Sequence, residues 1–354
     1  MHQYDIDSHK LLYHPQRVAD WQNGKNIYPL YMELSPSGAC NHRCSFCSMD
    51  FMGYRPTFYP TDIMVQRLQE CGRLGVKAVM FGGEGEPLLH RDIAVFAEAA
   101  KEGGMDVAFT TNAVLLTSAV LRRLIPVSSW IKVSCNAGSA KNYAKIHGTK
   151  AEDYERVLRN MSEAVLFRQR EGVSCILGFQ CVLLPESRPD IVEHARRVRD
   201  LGADYLVIKP YTHHPQSLKD TRNISYDNTK ELVEALLKEE TECFQIIFRH
   251  EAMKRWDRKT SAFTCCQALP FWAYVDAECN VWGCSRHLKE KAFLYGNLNK
   301  QDFAAIWNGP ERQAGLKWCA GHLDVSECHI TCRMEAINNY LWRLLHPASH
   351  DNFI

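Results

Sequence analysis

Between Pro29 and Tyr211 a short β-rich run, a turn and an amphipathic stretch follow one another six times, and nothing else in the chain constrains its fold as tightly. The β-rich runs are Leu30–Ser35, Ala78–Phe81, Val107–Thr110, Trp130–Ser134, Cys175–Leu183 and Tyr205–Pro210. Helical periodicity fills the gaps over Thr61–Leu74, Asp92–Glu102, Asp153–Arg170 and Pro189–Leu201. Thr61 and Pro189 read as helix starts, and Gly75, Gly103, Gly172 and Gly202 as stops. Such alternation predicts an α/β fold with a parallel sheet and right-handed crossovers, closing partly into a barrel. Ligands of such sheets sit at the C-terminal ends of the strands, where the unusual residues of this chain fall.

A further helix is expected over Asn228–Glu240, and the charged stretch Met253–Lys259 reads as a boundary. Beyond it come short strands, turns, aromatic residues and dense cysteine. The expected division of the 354 residues is an N-terminal extension (1–28), a barrel (29–252) and a cysteine-rich domain (253–354). Lys and Arg number 42 against 41 Asp and Glu, so the chain lacks the basic surplus that binding by counterion release requires. No nucleic-acid partner is expected. No run reaches the roughly 18 apolar residues of a membrane span, and the opening MHQYDIDSHK has neither the basic nor the apolar region of a signal peptide. The expected compartment is therefore the cytoplasm, with no membrane partner. In that reducing setting, clustered members of the 15 cysteines read as metal ligands or catalysts. The scattered Cys71, Cys135, Cys175, Cys181 and Cys243 read as small apolar residues.

One cluster, Cys40-x3-Cys44-x2-Cys47, lies in the loop after the first strand. Three thiolates so close in sequence can reach one metal centre. Structural zinc takes four protein ligands, and no fourth Cys or His follows at the usual spacing. A cubane iron–sulfur cluster with one iron left open suits three ligands better; the alternative is a zinc knuckle that recruits a remote ligand. The segment Cys40-Asn-His-Arg-Cys44-Ser-Phe46-Cys47 resembles the radical S-adenosylmethionine (SAM) enzymes, and the resemblance spans roughly Tyr28 to Tyr211. It implies a partial (β/α)6 TIM-like barrel in which Cys40, Cys44 and Cys47 hold a [4Fe–4S] cluster. In that family SAM chelates the fourth iron, and reductive cleavage yields a 5′-deoxyadenosyl radical that abstracts a substrate hydrogen.

The second strand is followed by Gly82-Gly83-Glu84-Gly85-Glu86-Pro87, where the family carries a glycine–glycine–glutamate motif for the SAM amine. Glycines admit close backbone approach, and a carboxylate accepts hydrogen bonds from an ammonium group. Either Glu84 or Glu86 could serve; the following Pro87 favours Glu86. The alternative is a glycine-rich turn without a ligand. Thr110-Thr111-Asn112 ends the third strand, and Ser134-Cys135-Asn136 ends the fourth. Alternation puts Lys132, Ser134 and Asn136 on one face and Cys135 on the other. The resemblance implies contacts from Asn112, Ser134 and Asn136 to the ribose and methionine ends of SAM. Each could equally be a turn residue. Lys209 ends the sixth strand and shares a face with Tyr205, Val207 and Tyr211, so it is either a substrate-binding group at the barrel mouth or a snorkelling surface cation. His213 and His214 read as residues of a solvated loop.

Near the C-terminus Cys266-x17-Cys284 spans a probable hairpin, Tyr274–Trp282, and Cys319-x2-His322-x5-Cys328-x3-Cys332 resembles part of the SPASM cysteine pattern. Tyr295-Gly-Asn-Leu298 and Ile306-Trp307 resemble its connecting segment. The full module holds two auxiliary clusters, and its shortened form, the twitch module, holds one. Here the final cysteine is absent, and Cys279 stands where the family has glycine. The expectation is a small cysteine-rich α+β domain with one auxiliary [4Fe–4S] cluster on Cys266, Cys284, Cys328 and Cys332. Cys265, Cys279 and Cys319 are alternates, and structural zinc is the competing occupant.

The leading expectation is a radical SAM oxidoreductase with a small-molecule substrate, a hydroxylated sugar or cyclitol, and an electron donor such as flavodoxin or ferredoxin. Lys209 would hold the substrate or take a proton, and the auxiliary cluster would accept an electron. Only about 28 residues precede the first strand, too few for the recognition domain that peptide modifiers often carry. Peptide modification and epimerisation, with Cys135 or Cys181 as hydrogen donor, are the enzymatic alternatives. A non-catalytic iron–sulfur or zinc module that binds a partner is the alternative of another class; it would not need the SAM-contacting residues.

Overall fold

Each strand of the core is a short apolar run flanked by turn residues, and together they form one ten-stranded sheet in a computed structural model of the chain. The structure describes Tyr4 and residues 8–219, 224–258, 261–328 and 331–353; Lys259, at the end of the expected boundary stretch, and parts of the opening decapeptide lie outside the described residues. After α1 (Pro15–Gln22) the chain alternates through β1 (Tyr31–Leu34), α2 (Thr61–Arg73), β2 (Ala78–Phe81), α3 (Ile93–Glu102) and β3 (Asp106–Thr111). It continues with α4 (Ser118–Leu124), β4 (Trp130–Ser134), α5 (Ala140–His147), α6 (Ala151–Glu171), β5 (Ile176–Val182), α7 (Ile191–Asp200) and β6 (Tyr205–Lys209). The six expected strands are present, with ends shifted by one residue at most, and neighbours pair in parallel from β1 to β6.

The remaining elements are α8 (Lys230–Leu237), β7 (Gln245–Phe248), α9 (His250–Arg258), β8 (Trp272–Val275), β9 (Asn280–Trp282), β10 (Leu294–Asn297), α10 (Phe303–Asn308), α11 (Pro310–His322) and α12 (Glu335–Leu345). Several features differ from the sequence expectation, among them the helix α5. β7 adds a seventh parallel strand beside β6. The expected C-terminal hairpin is β8–β9, and β8 pairs in parallel with β1, so the cysteine-rich part extends the barrel sheet. The charged stretch from Met253 lies within α9.

Alternation sets the two faces of the sheet. On β4, Ile131 and Val133 are fully buried toward the helices, whereas Trp130, Lys132 and Ser134 are half-buried on the opposite face. Phe81, Phe109, Val133, Phe179 and Leu206 form the layer between sheet and helices. The inward residues Glu33 on β1, Met80 on β2, Thr110 on β3, Lys132 on β4, Gln180 on β5 and Lys209 on β6 line a single cavity. Strands so far apart in sheet order can share one cavity only if the sheet is curled. The fold is a partial barrel followed by a cysteine-rich domain.

Candidate active site

The C-terminus of α5 positions the first cysteine cluster. Gly148 (φ +57°) stops this helix, and a side chain there would meet the Arg43 carbonyl at 2.3 Å. That close approach lets the helix's last carbonyls, which lack intrahelical partners, accept from the cysteine loop: Arg43 N–H donates to His147 (3.0 Å) and Ser45 N–H to Ile146 (2.8 Å). Cys44 Sγ thereby comes 3.5 Å from His147 Nδ1, while the Asn136 N–H points at Nε2 of the same ring (3.1 Å). An acceptor role at Nε2 leaves the proton on Nδ1, directed at the thiol. Burial, then His42, holds the His147 pKa well below the ordinary value, so the ring is neutral. His42 also lies in this group, with Nε2 3.8 Å from Asp153, and the edge of Phe46 packs on His147 at 5.4 Å.

The two glutamates of the glycine-rich turn part ways. Glu86 is buried and adds its charge to the environment of Cys40. It accepts from the Asn112 N–H (2.7 Å), from Leu88 N–H (3.1 Å) and from the Thr111 hydroxyl. Glu84 turns the other way and accepts the Ala277 N–H of the β8–β9 turn at 2.7 Å. Burial raises both carboxyls to about 7. A Cβ on Gly85 would sit 2.2 Å from the Ser37 carbonyl and 2.3 Å from that of Ala39, so this glycine admits the cysteine loop itself. Gly83 (φ +98°) faces Ser35 and lines the cavity. Asn112 Nδ2 donates to Asn41 (2.6 Å), within the cysteine motif. Asn136 Oδ1 accepts from Val182 N–H (2.7 Å), and its Nδ2 is buried without a partner. Ser134 accepts from Gln180 at 2.7 Å.

The second cysteine cluster borders the cavity lined by the barrel strands. Cys266, Cys284, Cys328 and Cys332 all line the cavity, whose volume is about 490 Å³. Burial raises the Cys284 thiol well above its ordinary value, and the proximity of Cys332, Cys266 and Cys328 raises it further. The same causes lift Cys328 to about 11 and Cys332 to about 12. Asn338 Nδ2 lies 3.4 Å from Cys266 Sγ as a donor. Cys319 adjoins the group and Cys265 neighbours Cys266, but neither lines the cavity. Cys279 lies apart at the hairpin turn with φ +67°, the conformation a glycine would adopt without strain.

Lys209 points into the cavity. Burial, and then the charges of Lys132, Arg249 and Arg333, lower its pKa to about 7. Arg333, next to Cys332, pairs with the buried Glu33 of β1 across the domain junction. His214, expected in a solvated loop, is 1% exposed and stacks on Phe51 at 4.1 Å, because the segment after β6 folds over the cysteine loop. There the Lys219 ammonium donates to the Cys44 carbonyl and the Ser217 hydroxyl to that of Cys47 (3.4 Å). Cys135 and Cys181 are fully buried on the helix side of the sheet, away from the cavity.

A radical SAM superfamily model matches residues 34–180, and a model of the SPASM iron-sulfur cluster-binding domain matches residues 265–333. The chain belongs to the radical SAM superfamily and carries a SPASM domain. It is 21% identical over 303 residues to the tungsten-containing aldehyde ferredoxin oxidoreductase cofactor-modifying protein of Pyrococcus furiosus, a match covering 78% of this chain and 80% of that protein. It is 38% identical over 92 residues to a GTP 3′,8-cyclase of Stenotrophomonas maltophilia, which spans 24% of this chain and 27% of the cyclase. Streptococcus suis SuiB bound to S-adenosylmethionine shares the fold with a TM-score of 0.65 and 17% identity over 85% of this chain and 70% of SuiB.

This radical SAM enzyme uses SAM and [4Fe–4S] clusters, and the residues present fit those groups. Thiolates gathered on one cavity, as Cys266, Cys284, Cys328 and Cys332 are, repel one another, and bound iron would neutralise that charge. The three N-terminal cysteines interact electrostatically in the same way. Among the described residues, no helix is long and apolar enough to cross a membrane. Sequence reasoning missed His147, Arg249, Glu33 and Arg333. A lone acid inside the apolar run Leu30–Ser35 was the available signal for Glu33; Arg333 and His147 gave no local signal.

Proposed function

We propose that this radical SAM enzyme dehydrogenates a small hydroxylated substrate, sugar- or cyclitol-like, removing two hydrogens. The observation that carries the reading is that one cavity is bounded by both Lys209 and the four cysteines Cys266, Cys284, Cys328 and Cys332. A volume of about 490 Å³ lies within the range of small-molecule sites. Cys40, Cys44 and Cys47 would hold the SAM-binding cluster, and Cys266, Cys284, Cys328 and Cys332 one auxiliary cluster. Around SAM, Glu86 would meet the amine, and Phe46, Asn112, Ser134 and Asn136 would make further contacts; Gly83 would let the turn approach, with Gly85 admitting the cysteine loop. When bound, SAM and the auxiliary cluster supply the radical that takes one substrate hydrogen atom and the acceptor for the electron left behind.

What remains is a proton on the substrate hydroxyl. Lys209 is suited to receive it, because a base of pKa about 7 is substantially unprotonated at neutral pH. Its neighbours Lys132, Arg249 and Arg333 favour the neutral amine. Epimerisation would need a hydrogen donor in the cavity, and the burial of Cys135 and Cys181 on the helix side speaks against the two free thiols considered for it.

The test is to incubate reconstituted enzyme, SAM and reductant with fractionated small-molecule extracts and follow 5′-deoxyadenosine and product mass. Dehydrogenation gives a product two hydrogens lighter and about one 5′-deoxyadenosine per product. A product of unchanged mass carrying one solvent deuterium would refute it.

A further inference from the structure

The chain as a whole is almost neutral, at +1, yet its central cavity is not. Among the described residues six cationic side chains line it, Lys132, Lys209, Arg249, Arg255, Arg286 and Arg333, against two acidic ones, Glu33 and Glu335. Part of this excess has a partner, Arg249 included. Arg333 pairs with Glu33, and Arg255 lies 3.2 Å from Glu335. Arg286 sits beside Cys328, so its charge would serve the cysteine cluster.

On the far wall stand Lys132 on β4, Lys209 at the end of β6 and Arg249 just after β7. Among the described residues neither lysine forms an ion pair. Lys132 Nζ lies over the Trp130 ring at 4.9 Å, a contact that leaves its N–H donors available. Burial, and then the charges of Lys132 and Arg249, depress the protonation of Lys209. Gathering like charges in a cavity with low-dielectric walls costs free energy that a bound anion would recover, and such a cavity concentrates anions. Both lysines share the cavity with Cys266, Cys284, Cys328 and Cys332.

We propose that Lys132 is the binding site for an anionic group on the substrate, a carboxylate or a phosphate, so that the substrate is a hydroxylated acid rather than a neutral polyol. This rests on the dehydrogenase reading above for the hydroxyl alone; the anion site stands on its own geometry. Lys132 holds the anion as a cation, and Lys209, crowded by Lys132 and Arg249, is the group that gives up its proton.

Calorimetric titration of the reconstituted holoenzyme with SAM present tests it, using D-gluconate, glucose 6-phosphate and neutral sorbitol as probes. Either anion should bind more tightly than sorbitol by tenfold or more, and weaken as salt rises; gluconate and glucose 6-phosphate separate a carboxylate site from a phosphate site. Lys132→Met should weaken that binding at least tenfold, with iron content and SAM affinity unchanged, and Lys132→Arg should largely restore it. The proposal falls if neither anion binds better than sorbitol, if Lys132→Met leaves anion binding intact, or if SAM affinity drops by the same factor, because the lysine would then serve the SAM carboxylate. Anion binding without any two-hydrogen product would refute the dehydrogenase reading and leave the site standing; dehydrogenation of a neutral polyol would do the reverse.

Discussion

His147 Nδ1 lies 3.5 Å from Cys44 Sγ, and the Asn136 N–H at its other nitrogen fixes which side carries the proton. The ring is buried and stacked on Tyr143 at 4.2 Å, so it cannot swing away. An N–H directed at a ligating sulfur favours the more negative, reduced form of a cluster. His147→Phe keeps the ring and removes the donor. We expect the midpoint potential of the SAM-binding cluster to fall by about 40 mV, one net hydrogen bond for a one-electron couple. An EPR-monitored redox titration reads this directly, and an unchanged potential would mean that His147 serves only packing.

Glu86 and Glu84 stand two residues apart with opposite duties, which gives a paired prediction. Glu86 is beside Cys40 and anchors the end of β3, whereas Glu84 holds the β8–β9 turn through Ala277. Glu86→Gln should weaken SAM binding at least tenfold. Glu84→Ala should leave SAM affinity within about twofold, and cost about 1–3 kcal/mol of stability because a buried N–H loses its acceptor. Calorimetry with SAM and thermal unfolding of both variants decide the matter; the reverse pattern would transfer the SAM role to Glu84.

Much of this architecture was legible because it is local. β2 and β4 have the expected ends, since period-2 burial and adjacent turn residues mark them within a few positions. The same alternation put Lys132 on the inward face with Ser134. β7 (Gln245–Phe248) was missed because no glycine or proline flanks it, as Gly75 and Gly82 flank β2. The union of β8 with β1 was missed for a different reason: strand partners some 240 residues apart leave no trace in either segment alone. Arg333 illustrates the same limit, since it reads as an ordinary charge until the fold brings it to Glu33. His147 is similar: α5 was not foreseen, and only Gly148 and its approach to Arg43 give the histidine a sulfur to face.

The auxiliary cysteines carry a stoichiometric prediction. Reconstituted protein should hold about eight irons, from two cubane clusters. Replacing Cys284 and Cys332 together by alanine should reduce this to about four and leave reductive SAM cleavage in place, while replacing Cys40, Cys44 and Cys47 should abolish cleavage and keep the other four. Iron and zinc analysis of the three proteins checks it. About four irons with zinc in the unmodified chain would identify the C-terminal site as structural zinc, and about twelve would mean a second auxiliary cluster.

Lys209 supplies the final prediction, in which the direction of the pH effect is fixed by the role. A proton acceptor works as the neutral amine, and burial with the nearby Lys132, Arg249 and Arg333 sets its pKa to about 7. Below that value the active fraction falls tenfold per pH unit, and above it the rate levels off, so kcat/KM for product should rise through about pH 7 to a plateau. Lys209→Met should lower the rate by about 10²–10⁴ and remove the ascending limb, the range expected for losing a general base. Lys132→Met provides the more demanding check. It deletes the first cationic neighbour that depresses Lys209, so the limb should move to higher pH even though residue 209 is untouched. Rate profiles of the three enzymes from pH 5.5 to 9 read the position of the limb, and an unmoved limb in Lys132→Met would show that some other group donates or accepts the kinetically relevant proton.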